Sequence, residues 1–215
     1  MKKFLAVAVA TFSLTPFAQA ASFLVDTGSP ELTQNGAITV CDFLYANGGR
    51  CTQSVALQFT LNGSAKITSA EGYFWSGIAP GTLTLALYSD SNGLPGVELF
   101  SRQFGVPLTG SGPAGDWFGV SGVSWEVAQG RYWAVFEVRA GQSFNGALEF
   151  PAPTRLPAAV KNDTYTVWTD VGGGAGGGLR VAGEYVSSVP TPAGTAVMLA
   201  GLAMVGAVAR RRSAA

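Results

Sequence analysis

Thr82-Leu83-Thr84-Leu85-Ala86-Leu87-Tyr88-Ser89-Asp90-Ser91-Asn92-Gly93-Leu94-Pro95-Gly96 carries the reading of the fold. Leu83, Leu85 and Leu87 alternate with Thr82, Thr84 and Ala86, a period of two that puts the leucines on one face of a β-strand. Ser91 to Gly96 then supplies turn chemistry, because glycine accepts positive φ and proline presets a bend. The same grammar repeats on both sides. Val55, Leu57, Phe59 and Leu61 alternate with Ala56, Gln58 and Thr60; Val123, Trp125 and Val127 with Ser124 and Glu126; Phe144, Gly146, Leu148 and Phe150 with Asn145, Ala147 and Glu149. Arg131 to Val138 is apolar on both faces, which predicts a central strand covered on each side. Residues 36–40, 67–75, 97–104, 164–169 and 179–186 are further strand candidates. Asn62-Gly63-Ser64, Ala79-Pro80-Gly81 and Gln129-Gly130 separate the runs, Gly172 to Gly178 reads as a loop, and Pro151-Ala152-Pro153 and Pro157 mark an irregular stretch. No convincing helical period intervenes. The pattern predicts an all-β domain over residues 21–188, an antiparallel two-sheet β-sandwich of jelly-roll type.

The two ends read as addresses. Lys2 and Lys3, the apolar run Phe4–Leu14, Pro16 and the small residues of Ala18-Gln19-Ala20 predict a signal peptide over 1–20, removed by signal peptidase before Ala21. At the other end stand Val189-Pro190-Thr191-Pro192, then 17 uncharged residues from Ala193 to Ala209, then Arg210-Arg211-Arg212. As a helix this run covers roughly 25 Å, the lower edge of a spanning length. Arginines stay on the cytoplasmic side, so the expectation is a transmembrane helix over 193–209 with residues 21–189 outside.

Pro-x-Pro, a marginal apolar helix and a terminal arginine cluster together resemble the PEP-CTERM sorting signal of Gram-negative bacteria, over residues 189–215; Thr191 stands where that motif usually has Glu. The resemblance implies an exosortase-type membrane enzyme as partner and inner-membrane insertion before processing. Leu83 to Asp90, the turn through Asn92-Gly93-Leu94-Pro95-Gly96, and Gly130-Arg131-Tyr132-Trp133 are similar to the choice-of-anchor exported β-domains, which implies the sandwich and no catalytic residue.

Charge narrows the partners. Lys plus Arg and Asp plus Glu are 13 each. Five of the basic residues lie in the two ends, leaving eight against 13 acidic residues, a net of −5 for the central domain. That argues against a nucleic acid, which needs a basic face to displace counterions. Cys41 and Cys51 are the only cysteines, and they enclose Asn47-Gly48-Gly49, a hairpin-turn signal. An even count in an exported chain favours a disulfide, with two unpaired thiols as the alternative.

The search for chemistry finds little. Histidine is absent, which excludes His-based triads and metal sites. Asp26-Thr27-Gly28-Ser29 matches an aspartic-protease motif locally, but such a site needs two aspartates and no second motif occurs; a turn is the expectation. Asp90 to Gly93 offers one carboxylate, too few for calcium. Neither a catalytic set, a metal site nor a cofactor is predicted. The aromatic residues remain: Tyr73, Trp75 and Trp133 are candidates to stack on sugar rings, with core packing as the alternative, and Trp125 is expected in the core beside Val123 and Val127. The sequence thus predicts a non-enzymatic exported protein, membrane-anchored first and then placed in the cell envelope or extracellular matrix. A carbohydrate-binding β-sandwich recognising a polysaccharide is the alternative.

Overall fold

The computed structural model describes residues 22–28, 36–77, 79–109, 115–150, 155–172 and 177–186. They form the strands β1 (Ser22–Asp26), β2 (Ala37–Leu44), β3 (Arg50–Leu61), β4 (Ala65–Ser76), β5 (Gly81–Ser91), β6 (Leu94–Val106), β7 (Asp116–Val127), β8 (Gly130–Glu137), β9 (Phe144–Glu149), β10 (Ala158–Asn162), β11 (Thr169–Asp170) and β12 (Leu179–Tyr185). The alternation in β3, β5, β7 and β9 places its apolar members in the core as expected, and β8 is covered on both faces. One expectation fails locally. Of residues 164–169 only Thr169 enters a strand, β11, because the Asn162 side-chain oxygen accepts the Thr164 and Tyr165 amides at 2.9 and 2.8 Å and bends the chain into a turn. The strand lies earlier, at β10, where alanines without strand preference are held by pairing with β3.

The expected pair of stacked sheets is corrected to one continuous antiparallel sheet. Its path runs β1-β12-β4-β9-β2-β3-β8-β5-β6, with β7 beside β4, β10 beside β3, and β11 beyond β10. The physical reason is that long strands change partner along their length. Along one edge, β4 pairs Ala65–Gly72 with β12 and then Phe74–Ser76 with β9, while β7 lies on its other edge. Likewise β3 pairs with β2 and then with β10, opposite β8. Hydrogen bonds therefore continue around what a sandwich would leave as a gap. Where β9 meets β4, Gly146 leaves no room for a side chain: a Cβ there would run into the Trp75 carbonyl oxygen. Register shifts in β1, β4, β5 and β12 add twist. The sheet curls until β6 and β7 face each other without pairing. Phe100 of β6 stacks on Trp125 of β7 across the seam, with centroids 5.7 Å apart and planes at 10°.

The curl encloses the main core. Phe74 lies at its centre, fully buried, with Phe104, Phe136 and Phe144 at 5.8, 5.1 and 5.7 Å. Leu57, Leu85, Leu148 and Leu179 fill in around them. Trp125 is in this core, as expected.

The membrane-anchored, terminally sorted protein is also corrected. The described residues contain no helix, hence none long and apolar enough to cross a membrane. Residues 1–20, Val189 to Pro192, the span 193–209 and Arg210 to Arg212 lie outside the described residues. Hydropathy marks a segment as apolar; it does not make it a helix. Sorting through a terminal helix and a membrane-anchored location have no basis in the described residues.

Cys41 and Cys51 form a disulfide with Cα atoms 5.7 Å apart. Cys41 pairs with Gln53 and Cys51 with Phe43, so the two cysteines are diagonal neighbours across the β2–β3 hairpin. Gly48, at φ +84°, makes the turn, and Arg50 grips Asp42 through two nitrogens. Closing so short a loop restricts the unfolded chain, so the Cys41→Ser/Cys51→Ser double variant should lose about 2.5–3 kcal/mol in urea denaturation. An unchanged midpoint would refute this.

Candidate functional site

The outer face of β3, β8 and β5 departs from the polar surface that a half-solvated sheet would show. Ala56, Ala86, Val135 and Ala159 make a small-residue floor, and Trp133 lies among them, 1% exposed. Tyr88, Leu94 and Trp168 pack onto this floor while remaining partly exposed. Register explains the arrangement: Trp133 sits directly between Gln58 of β3 and Tyr88 of β5, and Ala86 and Ala56 flank Val135. Small side chains on three adjacent strands let the aromatic rings lie close to the backbone.

Asp90 fastens this layer. Its Oδ1 accepts the Trp133 indole N–H at 2.9 Å and the Gln58 amide at 2.7 Å. Its Oδ2 accepts the Gly93 backbone N–H at 3.3 Å and faces the Arg131 guanidinium at 3.1 Å. Burial pushes the carboxyl's pKa up. The donated hydrogen bonds and Arg131 outweigh that and hold it below its ordinary value. The turn that Asp90 captures needs both central residues at positive φ, and Asn92 (54°) and Gly93 (82°) provide them. Both oxygens that a calcium ion would use are thus committed to N–H and guanidinium donors.

The captured turn forms one wall of an open groove of about 490 Å³, through Ser91, Leu94, Pro95 and Gly96. Lys161, Thr166, Val167 and Trp168 form the opposite wall, with Tyr88 and Glu137 between. The Tyr88 hydroxyl donates to Glu98 at 3.3 Å. Burial first, then the charges of Glu137 and Glu98, raises the Tyr88 pKa to about 12, so the phenol keeps its proton at neutral pH. Arg139 spans Glu98 and Glu137. The Ser91 and Thr166 hydroxyls, the Lys161 ammonium and the Trp168 indole N–H have no partner within the described residues. A second groove of about 480 Å³ is lined by Asp42, Phe43, Leu44, Arg50, Gln142 and Ser143, but its charged pair is engaged internally.

The three aromatic candidates do not meet. Tyr73 and Trp75 lie two residues apart on β4, four strands along the sheet from Trp133 on β8. Tyr73 meets Trp117 edge to face at 5.3 Å, and Trp117 lies under the Arg180 guanidinium at 4.1 Å. The Trp75 indole nitrogen is buried without an acceptor among the described residues. Trp133 presents no ring to solvent and serves as floor. Tyr88 and Trp168, which do line a groove, are not among the three stacking candidates. Tyr88 was legible as an aromatic residue on the Thr82–Thr84–Ala86 face; Trp168 reaches the groove only because β10 and β11 dock beside β3. Asp26-Thr27-Gly28 makes the expected turn, with Asp26 Oδ1 accepting the Gly28 amide at 2.9 Å and Arg180 Nε at 3.1 Å.

No family model matches the chain, and neither a curated protein nor a solved structure matches it.

Proposed function

We propose that this domain binds a polysaccharide in the groove across Tyr88 and Trp168, and that it holds the chain without cleaving it. The observation that carries the reading is the partly exposed aromatic pair, set on a close-packed floor and bordered by unpaired donors. Sugar rings present one CH-rich face and an edge of hydroxyls. Trp168 and Tyr88 suit the first, while Ser91, Thr166, Lys161 and the indole N–H suit the second. The floor under Trp168 is already in place, so little ordering cost attends binding. The open form of the groove lets a polymer run through, which favours internal segments over chain ends. The nearby carboxylates of Glu98 and Glu137 are held by Arg139 and Tyr88, an arrangement suited to support more than to proton transfer.

The test is affinity electrophoresis and calorimetry of the full chain against soluble polysaccharides. Trp168→Ala removes about 1.5–3 kcal/mol of apolar contact. Binding should weaken roughly ten- to hundredfold while the domain stays folded at the assay temperature. If no polysaccharide in a broad panel is retained, or if Trp168→Ala binds as well as wild type, the reading is wrong. Release of new reducing ends from a retained polymer would show an enzyme instead.

A further inference from the structure

We infer that the polysaccharide is anionic and that Lys161 seats a sugar carboxylate; this rests on the reading just given. The inference comes from the charge inventory of the groove. Its lining holds two charged side chains, Glu137 and Lys161. Glu137 receives two nitrogens of Arg139 on one oxygen, and the same guanidinium holds Glu98, so its carboxylate is engaged. Tyr88 stays protonated and adds no charge. Lys161 has no ion-pair partner among the described residues, so it is the one charged lining side chain left free to pair with a ligand.

Arg50, Arg131, Arg139 and Arg180 each hold an acidic side chain. Lys66, Arg102 and Lys161 have no ion pair among the described residues, and of these only Lys161 lines the groove. Lys161 stands on β10, paired with Ser54 of β3, so its stem rises from the same rigid sheet that carries the aromatic platform. A neutral glycan would leave the ammonium with hydroxyl partners only; a uronate offers it a charge-assisted bond. The central domain's net of −5 gives no general attraction for a polyanion. The preference must therefore come from this one contact and be lost with it.

The experiment compares a polyuronate with its carboxyl-reduced counterpart, identical in linkage, on the full chain at low ionic strength. Wild type should bind the polyuronate about tenfold tighter than the reduced polymer. Lys161→Gln should bring that ratio close to one, and Lys161→Arg should restore it. A wild-type ratio near one, with both polymers bound and both lost in Trp168→Ala, overturns the anionic preference and leaves the groove reading standing. A ratio that survives in Lys161→Gln also overturns it, placing the charge contact elsewhere. If neither polymer binds, nor any other glycan, the groove reading itself has failed.

Discussion

Asp90→Ala should lower the stability of this domain by about 3–5 kcal/mol, the cost of breaking a buried, charge-assisted cluster. The Asp90 side chain is only 10% exposed. Without its carboxylate, the indole N–H of Trp133, a residue 1% exposed, and the Gln58 amide lose their acceptor. Each orphaned buried donor costs about 1–3 kcal/mol. The Asn92-Gly93 turn also loses its tie to the sheet, so the groove wall it carries should loosen. Urea denaturation reads the loss, and a change below about 1 kcal/mol would show that the cluster is ornamental. Acid supplies an independent check. The folded-state pKa of Asp90 lies below the unfolded value near 3.8, so its contribution is complete above that pH and disappears as pH falls through the lower, folded value. Asp90→Asn, which keeps the shape and one acceptor, should flatten that part of the wild-type acid-stability curve.

Phe74→Ala should be comparably damaging, at about 3–5 kcal/mol. Phe74 is fully buried and touches rings from β6, β8 and β9, strands spread from one end of the sheet path to its middle. The cavity cannot collapse easily, because a curled sheet hydrogen-bonded along its length resists inward movement of one strand. A matched control uses the same residue type at the surface: Phe23 is 51% exposed, so Phe23→Ala should change stability by only about 0.5 kcal/mol. Equal losses at the two positions in chemical denaturation would contradict the placement of the core inside the curl.

Much of this was legible in the chain itself. The alternations through Leu83–Leu87, Val55–Leu61 and Val123–Val127 follow from the pleat, where neighbouring side chains point to opposite faces whatever the strand pairs with. The Cys41–Cys51 hairpin was legible for a similar reason: the turn and both cysteines lie within a short stretch, so local geometry settles it. The sugar-binding candidates were less so. Tyr73, Trp75 and Trp133 were visible as aromatic residues, but exposure depends on what covers a face, and Ala159 and Trp168 join the Trp133 cluster only because β10 pairs with the distant strand β3, a contact that no local pattern encodes.

The strands with strict alternation, their inward-facing leucines and the stapled hairpin were thus determined by the sequence alone, because each depends on residues close together along the backbone, and the acidic charge balance follows from composition. Tertiary structure alone decided that the strands join into a single curled sheet, that Trp133 is floor while Trp168 is wall, and that Asp90 binds four groups. Pairing between distant strands is chosen by the packing of the whole core, and the side chains that share a groove are set by that pairing.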